Sequence, residues 1–86
     1  MNINKLIAII KKKIEDEIVV ENITIEDKSF LHKNHAGNQK NKFHLKISIK
    51  SLELKKMSKI KSNRIIHKLI EEEINKFIHS IQILLT

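Results

Sequence analysis

Two stretches of this chain carry hydrophobic residues at the three- and four-residue spacing of an amphipathic helix. The first stripe comprises Ile3, Leu6, Ile7, Ile10 and Ile14, and the second comprises Ile66, Leu69, Ile70, Ile74 and Phe77. We therefore predict a first helix over about residues 3–16, which Asn2 or Asn4 can cap. A second helix is predicted around the second stripe, and either Ser58 or Ser62 is a suitable cap for it.

Three other stretches have the composition or the alternation of strands. The β-branched residues at 18–20 and 23–25 predict a first strand. Residues 43–50 alternate between apolar and polar side chains, which predicts a half-buried strand with one face in water. Residues 79–85 predict a last strand, again with alternating sides.

The same alternation predicts where two histidines lie. His44 alternates with the apolar residues of its strand, so we predict that it faces solvent. His79 stands at the first position of the last strand and by parity shares the side of Ile81. We therefore expect His79 at the mouth of the core, where a helical pattern changes into a strand pattern.

The predicted elements follow the order α-β-β-α-(α)-β, in which the bracketed helix is optional. Two helices need an apolar surface to cover, and a three-stranded mixed sheet supplies one. We therefore predict an α+β two-layer sandwich with both helices on one face of the sheet. The 86 residues suffice for a single domain over residues 1–86 with one modest core. The polar connection at 27–41 is long for so small a domain, which favours a functional or mobile role for it.

The composition limits the possible chemistry. The chain contains no Cys and five His, which excludes disulfides, thiolate nucleophiles and metal clusters held by its own cysteines. Any soft-metal site must therefore use imidazole, with thiols supplied by a partner. An enzyme is the least favoured class, because no nucleophile–base pair stands out. No apolar run has the length of a membrane span, which predicts a soluble, cytoplasmic protein without a membrane partner.

The chain resembles the BolA family over about residues 5–85. The resemblance rests on the order and spacing of four sequence matches. They are Asp27 and Ser29 before a segment that ends in His35-Ala36-Gly37, the alternating strand from Phe43, Arg64-Ile65-Ile66 with the glutamates at 71–73, and Ile78-His79-Ser80-Ile81. The last match is similar to the family's closing Ile/Val-His-Ala-Leu/Phe. The chain departs from the family where Leu54-Lys55-Lys56 replaces Phe-x-Gly and Ser62-Asn63-Arg64 replaces Arg-His-Arg.

The resemblance implies a fold similar to class II KH domains and a specific partner. That partner is a monothiol glutaredoxin with a Cys-Gly-Phe-Ser motif, which shares a bridging [2Fe–2S] cluster and supplies thiolates from itself and from bound glutathione. By the same resemblance, this chain supplies His79 and a histidine of the long connection, His35 before His32. The resemblance thus implies a non-enzymatic adapter in cluster trafficking or in iron or redox regulation. The isolated chain is then expected to be a monomer or weak homodimer with no cofactor.

Two other functions stay open. The net charge of +7 favours anionic partners, and nucleic acid is one of them. A group that we call the basic face comprises Lys55, Lys56, Lys59, Lys61, Arg64 and Lys68. Against a KH-like DNA-binding regulator stand the single Arg, the three aromatic residues, all Phe, and the absence of a Gly-x-x-Gly loop. The second open function is that of a purely structural interaction domain.

Three further features of the sequence have simpler interpretations. The run of glutamates at 71–73 is predicted to be a solvated helix face, because consecutive helical side chains diverge by about 100° and do not converge on one ion. His67 is expected at the surface or in helix packing. The excess of Lys, Ile and Asn is also what an A+T-rich coding sequence would produce whatever the function, so charge alone does not identify a partner.

Overall fold

The structure, a computed structural model, describes residues 2–29 and 42–86. Within them, the helices are α1 (Ile3–Glu17), α2 (Leu52–Lys55), α3 (Lys59–Leu69) and α4 (Glu71–Phe77), and the strands are β1 (Asn22–Asp27), β2 (Phe43–Lys50) and β3 (Ile78–Leu85). The observed order confirms the predicted α+β class, and three helices stand between β2 and β3 where the α-β-β-α-(α)-β order has one or two. None of the described helices is long and apolar enough to cross a bilayer.

The described strands form one mixed sheet in the order β1-β2-β3. β1 runs antiparallel to β2, and β2 runs parallel to β3. One face of this sheet packs against α1 and α3, which confirms that the helices share a side. The core between the two layers comprises Leu6, Ile10, Ile14, Ile18, Ile23, Leu45, Ile47, Ile49, Leu54, Ile66, Ile70 and Ile78. The other side, which carries the even-numbered residues of β2, is called the outer face below.

The first helix forms where its pattern predicts, but the first strand begins later. The side chain of Asn2 caps α1 by accepting a hydrogen bond from the Lys5 N–H at 2.8 Å. The β-branched residues at 18–20 precede β1 instead of belonging to it. Val19 is 72 % exposed, and its backbone N–H donates to a carboxylate oxygen of Glu53 at 3.0 Å. A side chain therefore satisfies the backbone group that a sheet ladder would otherwise pair.

The predicted second helix is divided into separate pieces. Ser58 caps α3 by accepting from the Lys61 N–H at 3.1 Å. Ile70 interrupts the helix with φ −114° and ψ 24°, and α4 begins at the next residue. Ser62, the other predicted cap, is buried within α3 and donates to the Leu54 carbonyl at 2.8 Å. A buried hydrogen bond therefore joins the short helix α2 to α3.

One glutamate of the 71–73 run is not solvated. Glu73 is only 5 % exposed, and its carboxylate lies 2.7 Å from the Lys13 ammonium, which joins α4 to α1. The hydrogen bond to Glu73 raises the pKa of Lys13, since it favours the charged ammonium. The predicted solvated face is confirmed for Glu71 and Glu72 and wrong for Glu73, because the helix turns every third or fourth residue toward α1.

Candidate functional site

A β-bulge lies at the start of β3, where the predicted ligand histidine stands. His44 pairs with Ser80, while the residue before His44 pairs with Ile78. His79 is therefore the extra residue of the bulge, opposite no residue of β2. Such a bulge interrupts the alternation of sides along a strand and re-aims side chains. Ile78 enters the core, and His79 is exposed.

The bulge brings two imidazoles together on the outer face. The ring centres of His44 and His79 lie 4.9 Å apart, and the ring planes are tilted by 57°. His44 Nδ1 lies 2.6 Å from the Ser80 hydroxyl oxygen. Because His44 belongs to the outer face of β2, the prediction that His79 shares the Ile81 side is wrong. Parity holds only along an unbroken strand.

His44 is held at both of its backbone groups and is only 4 % exposed. Its N–H donates to the Ser29 hydroxyl at 3.1 Å, and its carbonyl accepts from the Lys28 N–H at 2.6 Å. The Ser29 N–H in turn donates to the Asp27 carboxylate at 2.9 Å, a local turn just after β1. The prediction that His44 faces solvent is wrong, and its ring lies against the Ser80 hydroxyl and the ring of His79.

The other two predicted ligands, His32 and His35, lie outside the described residues. Their ligand roles therefore stay predictions. Among residues 2–29 and 42–86, no group of three or more His, Asp or Glu side chains is placed to hold a metal ion. The described part of the chain contributes a pair of imidazoles and not a complete ligand set.

A depression of about 490 Å³ adjoins the paired histidines on the outer face. It is lined by Lys28, His44, Leu45, Lys46, Ser80, Ile81 and Gln82. The Lys28 ammonium also lies 2.8 Å from the Glu26 carboxylate. That hydrogen bond, supported by the charges of Lys28 and Lys46, lowers the pKa of Glu26. The depression therefore has ammonium and imidazole groups at its wall, which suit an anionic ligand.

The basic face lies on a different part of the molecule. Its members, Lys55, Lys56, Lys59, Lys61, Arg64 and Lys68, follow one another along α2, the turn after it and α3, and all of them are exposed. Ile60, which is 72 % exposed, lies beside three of them in a shallow depression of about 460 Å³. His67 is exposed on α3, which confirms its predicted place at the surface. The basic face therefore belongs to the helical layer, while the histidine pair belongs to the outer face of the sheet.

Residues 14–86 match the family model described as BolA-like protein. The chain belongs to the BolA family. A curated relative of this BolA-family chain is the DNA-binding transcriptional regulator BolA of Haemophilus influenzae, 33 % identical over 73 residues, which are 85 % of this chain and 68 % of the relative. The comparison supports the resemblance inferred from the four sequence matches.

Solved BolA structures have the same fold. The BolA domain of SufE1 from Arabidopsis thaliana is 26 % identical, with a TM-score of 0.75 over 92 % of this chain and 87 % of the other. The BolA1 protein of Mus musculus, at 23 % identity, has a TM-score of 0.73 over 92 % of this chain and 62 % of its own length, and it shows the fold alone. The predicted likeness to class II KH domains stays a prediction.

His44 is the residue of this site that sequence reasoning missed. Its strand was predicted correctly, but its environment depends on pairing with Ser80, which the bulge determines. No local pattern in the eight residues of β3 signals a bulge. The only available signal was the presence of one more imidazole among five histidines.

Proposed function

We propose that this BolA-family protein is a non-enzymatic adapter that binds a monothiol glutaredoxin and shares a bridging [2Fe–2S] cluster with it. The observation that carries the proposal is the exposed imidazole of His79 at the bulge, next to a second imidazole. A ligand that serves a shared site must be reachable from outside, and His79 is. His35, and after it His32, are the candidate ligands from the connection between β1 and β2.

The metal-binding side chains of this chain fit half of the ligand set of such a cluster. Imidazole can replace thiolate on one iron of a [2Fe–2S] cluster, as it does in Rieske centres, and this raises the reduction potential. Because the chain has no Cys, the thiolates come from the glutaredoxin and from glutathione. The ammonium groups of Lys28 and Lys46 beside the pair suit the carboxylates of glutathione. A site with two imidazoles is sensitive to acid, since imidazole must be neutral to bind a metal.

The experiment mixes this protein with a monothiol glutaredoxin, iron, sulfide and glutathione. We expect a heterodimer whose visible absorption and circular dichroism differ from those of the glutaredoxin homodimer. His79→Ala should abolish or alter the heterodimer spectrum, while His67→Ala, on an exposed helical position, should leave it unchanged. An identical spectrum for wild type and His79→Ala would remove His79 from the ligand set.

A second function is favoured by a different observation. The Haemophilus relative is named a DNA-binding transcriptional regulator, and all members of the basic face are exposed. We infer that any binding to DNA uses this face and is mostly electrostatic. If each of its six cations contacted one phosphate, log K would fall with log salt concentration with a slope of about −5.

The salt dependence separates the two functions. A duplex titration at several salt concentrations measures the slope for wild type and for Lys61→Gln. We expect the variant to reduce the slope by about 1 and to weaken binding to every sequence alike. Sequence-selective binding that persists at physiological salt would place DNA recognition ahead of the adapter function.

A further inference from the structure

We propose that the open edge of β3 is an interaction surface for a second copy of this chain. The two copies pair antiparallel, β3 against β3, about a twofold axis. β3 lies at one end of the sheet, and β2 is its only strand neighbour among the described residues. The inference does not rest on the proposed function, because it concerns the edge of the sheet and not its histidines.

The backbone of β3 directs hydrogen-bonding groups toward the open edge at every second residue. The Thr86 N–H donates to the Ile49 carbonyl at 2.9 Å, and in a parallel ladder the bonded residues alternate. The even-numbered residues of β3 therefore bond to β2. The N–H and C=O groups of Ile81, Ile83 and Leu85 point away from β2, and such a row of groups is a template for another strand.

Charged side chains protect one edge of this sheet and not the other. Natural sheets keep their edges from pairing with other chains by means of charged residues, short strands or bulges. β1, at the opposite edge, has six residues, and Glu26 and Asp27 are two of them. β3 has eight residues, and residues 78–86 contain no charged side chain although the chain has a net charge of +7. A second copy therefore brings no like charge against this edge.

The side chains at this edge leave apolar surface accessible on both sides of the sheet. Ile81, Ile83 and Leu85 pack against the core but are only half-buried. Leu84, on the outer face, is 38 % exposed. A strand laid beside β3 would remove part of this apolar surface from water, which favours association.

The sequence of β3 is complementary to itself about Ile83. In an antiparallel pair centred there, Ile83 lies opposite the same residue of the copy, and Ile81 lies opposite Leu85. These residues are the ones whose backbone groups point outward, so the copies exchange hydrogen bonds at each of these positions. Every pair on the core side is apolar. A twofold interface of one patch with itself is the commonest form of protein oligomer.

The outer face gives compatible pairs in the same register. Gln82 lies opposite Leu84, and Ser80 lies opposite Thr86, where the two hydroxyls can share a hydrogen bond. The paired span is 80–86, so His79 lies outside it. Dimerisation and a role for His79 are therefore compatible.

Size and charge both make this dimer weak. One pair of short strands buries much less than the roughly 1,600 Å² of a standard stable interface. The charge of +7 on each copy also opposes association. Salt screens this repulsion over a Debye length of about 8 Å at physiological ionic strength. We therefore expect dimerisation to strengthen with added salt, whereas DNA binding through the basic face weakens.

The test measures sedimentation equilibrium and amide hydrogen exchange of the full chain from low micromolar to near-millimolar concentration. We expect a monomer–dimer equilibrium in which exchange at Ile81, Ile83 and Leu85 slows as the concentration rises. The amides of Gln82 and Leu84, which bond to β2, are an internal control and should stay protected throughout.

Two variants and a control test the edge and its register. Leu84→Lys, at an exposed position, should weaken dimerisation by about tenfold, because the twofold axis repeats the altered pair. Gln82→Lys/Leu84→Glu should restore association, because it sets an introduced lysine opposite an introduced glutamate of the copy. Thr24→Lys adds the same charge to the outer face of β1 and should change association much less.

Several results would overturn the proposal. A monomer at every concentration would do so, as would a dimer in which exchange at Ile81, Ile83 and Leu85 does not slow. Equal weakening by Thr24→Lys and Leu84→Lys would show an effect of net charge alone. Protection of these three amides at every concentration would mean that the chain covers its own edge. Protection only on addition of glutaredoxin would assign the edge to that protein, whereas a dimer without any glutaredoxin complex would leave this inference standing and remove the adapter function.

Discussion

Ser51 links three parts of the fold, and its removal should be costly. The residue lies between β2 and α2 and is only 1 % exposed. Its hydroxyl donates to the Val19 carbonyl at 2.7 Å and accepts from the Leu54 N–H at 3.2 Å, so that it caps α2 and holds the segment before β1. We predict that Ser51→Ala destabilises the protein clearly more than the loss of an ordinary helix cap.

The magnitude follows from the two hydrogen bonds. Loss of a serine cap costs typically about 1 kcal/mol. The buried Leu54 N–H has no replacement acceptor in the alanine variant, and the Val19 carbonyl loses its donor, so about 1 kcal/mol more is expected. The free energy of unfolding should therefore fall by about 2 kcal/mol. With a urea slope of about 1–2 kcal/mol/M for a domain of this size, the midpoint should fall by about 1–2 M.

Ser58→Ala is the matched control, because it removes the cap of a neighbouring helix at an exposed position. Ser58 accepts from the Lys61 N–H at 3.1 Å. We expect Ser58→Ala to lower the unfolding free energy by only about 0.5–1 kcal/mol. Urea unfolding followed by far-ultraviolet circular dichroism, with unchanged slope, measures both variants. Equal destabilisation of the two would refute the argument that the bond to Val19 adds stability.

Two further predictions concern the core and the surface charges. Ile47→Ala should lower the unfolding free energy by about 2–5 kcal/mol, because Ile47 is fully buried between the layers, while exposed Ile60→Ala should change it by less than about 0.5 kcal/mol in the same urea assay. The hydrogen bond to Lys76 lowers the pKa of Glu72 from its ordinary value of 4.5, so the stability it contributes is present above that pH and is lost as the pH falls through the lower, folded pKa. Lys76→Gln should therefore have a lower thermal midpoint than wild type near neutral pH, and the difference should shrink as the pH falls through the lowered pKa of Glu72. An undiminished difference in acid would show that the contribution is not electrostatic.

The sequence by itself determined the class of the fold and its main elements. The apolar stripe of α1 repeats every three to four residues, and the alternation of β2 repeats every two. Each pattern is local and can be recognised without knowledge of the rest of the chain. The α+β layering followed from the need of both helices for one apolar surface. Likewise, the absence of Cys restricted any soft-metal chemistry to imidazole. These properties depend on neighbouring residues or on composition, which a sequence contains in full.

Only the tertiary structure decided how the site is built. The 18–20 run looked like a strand, but the backbone groups of Val19 bond to the side chains of Ser51 and Glu53, more than 30 positions away. The bulge at His79 exists because β3 pairs with β2 with an extra residue, and that register is a property of two distant segments. Because of this register, His79 lies on the outer face of the sheet, beside His44. The histidine pair thus arises from long-range pairing, which local spacing does not encode.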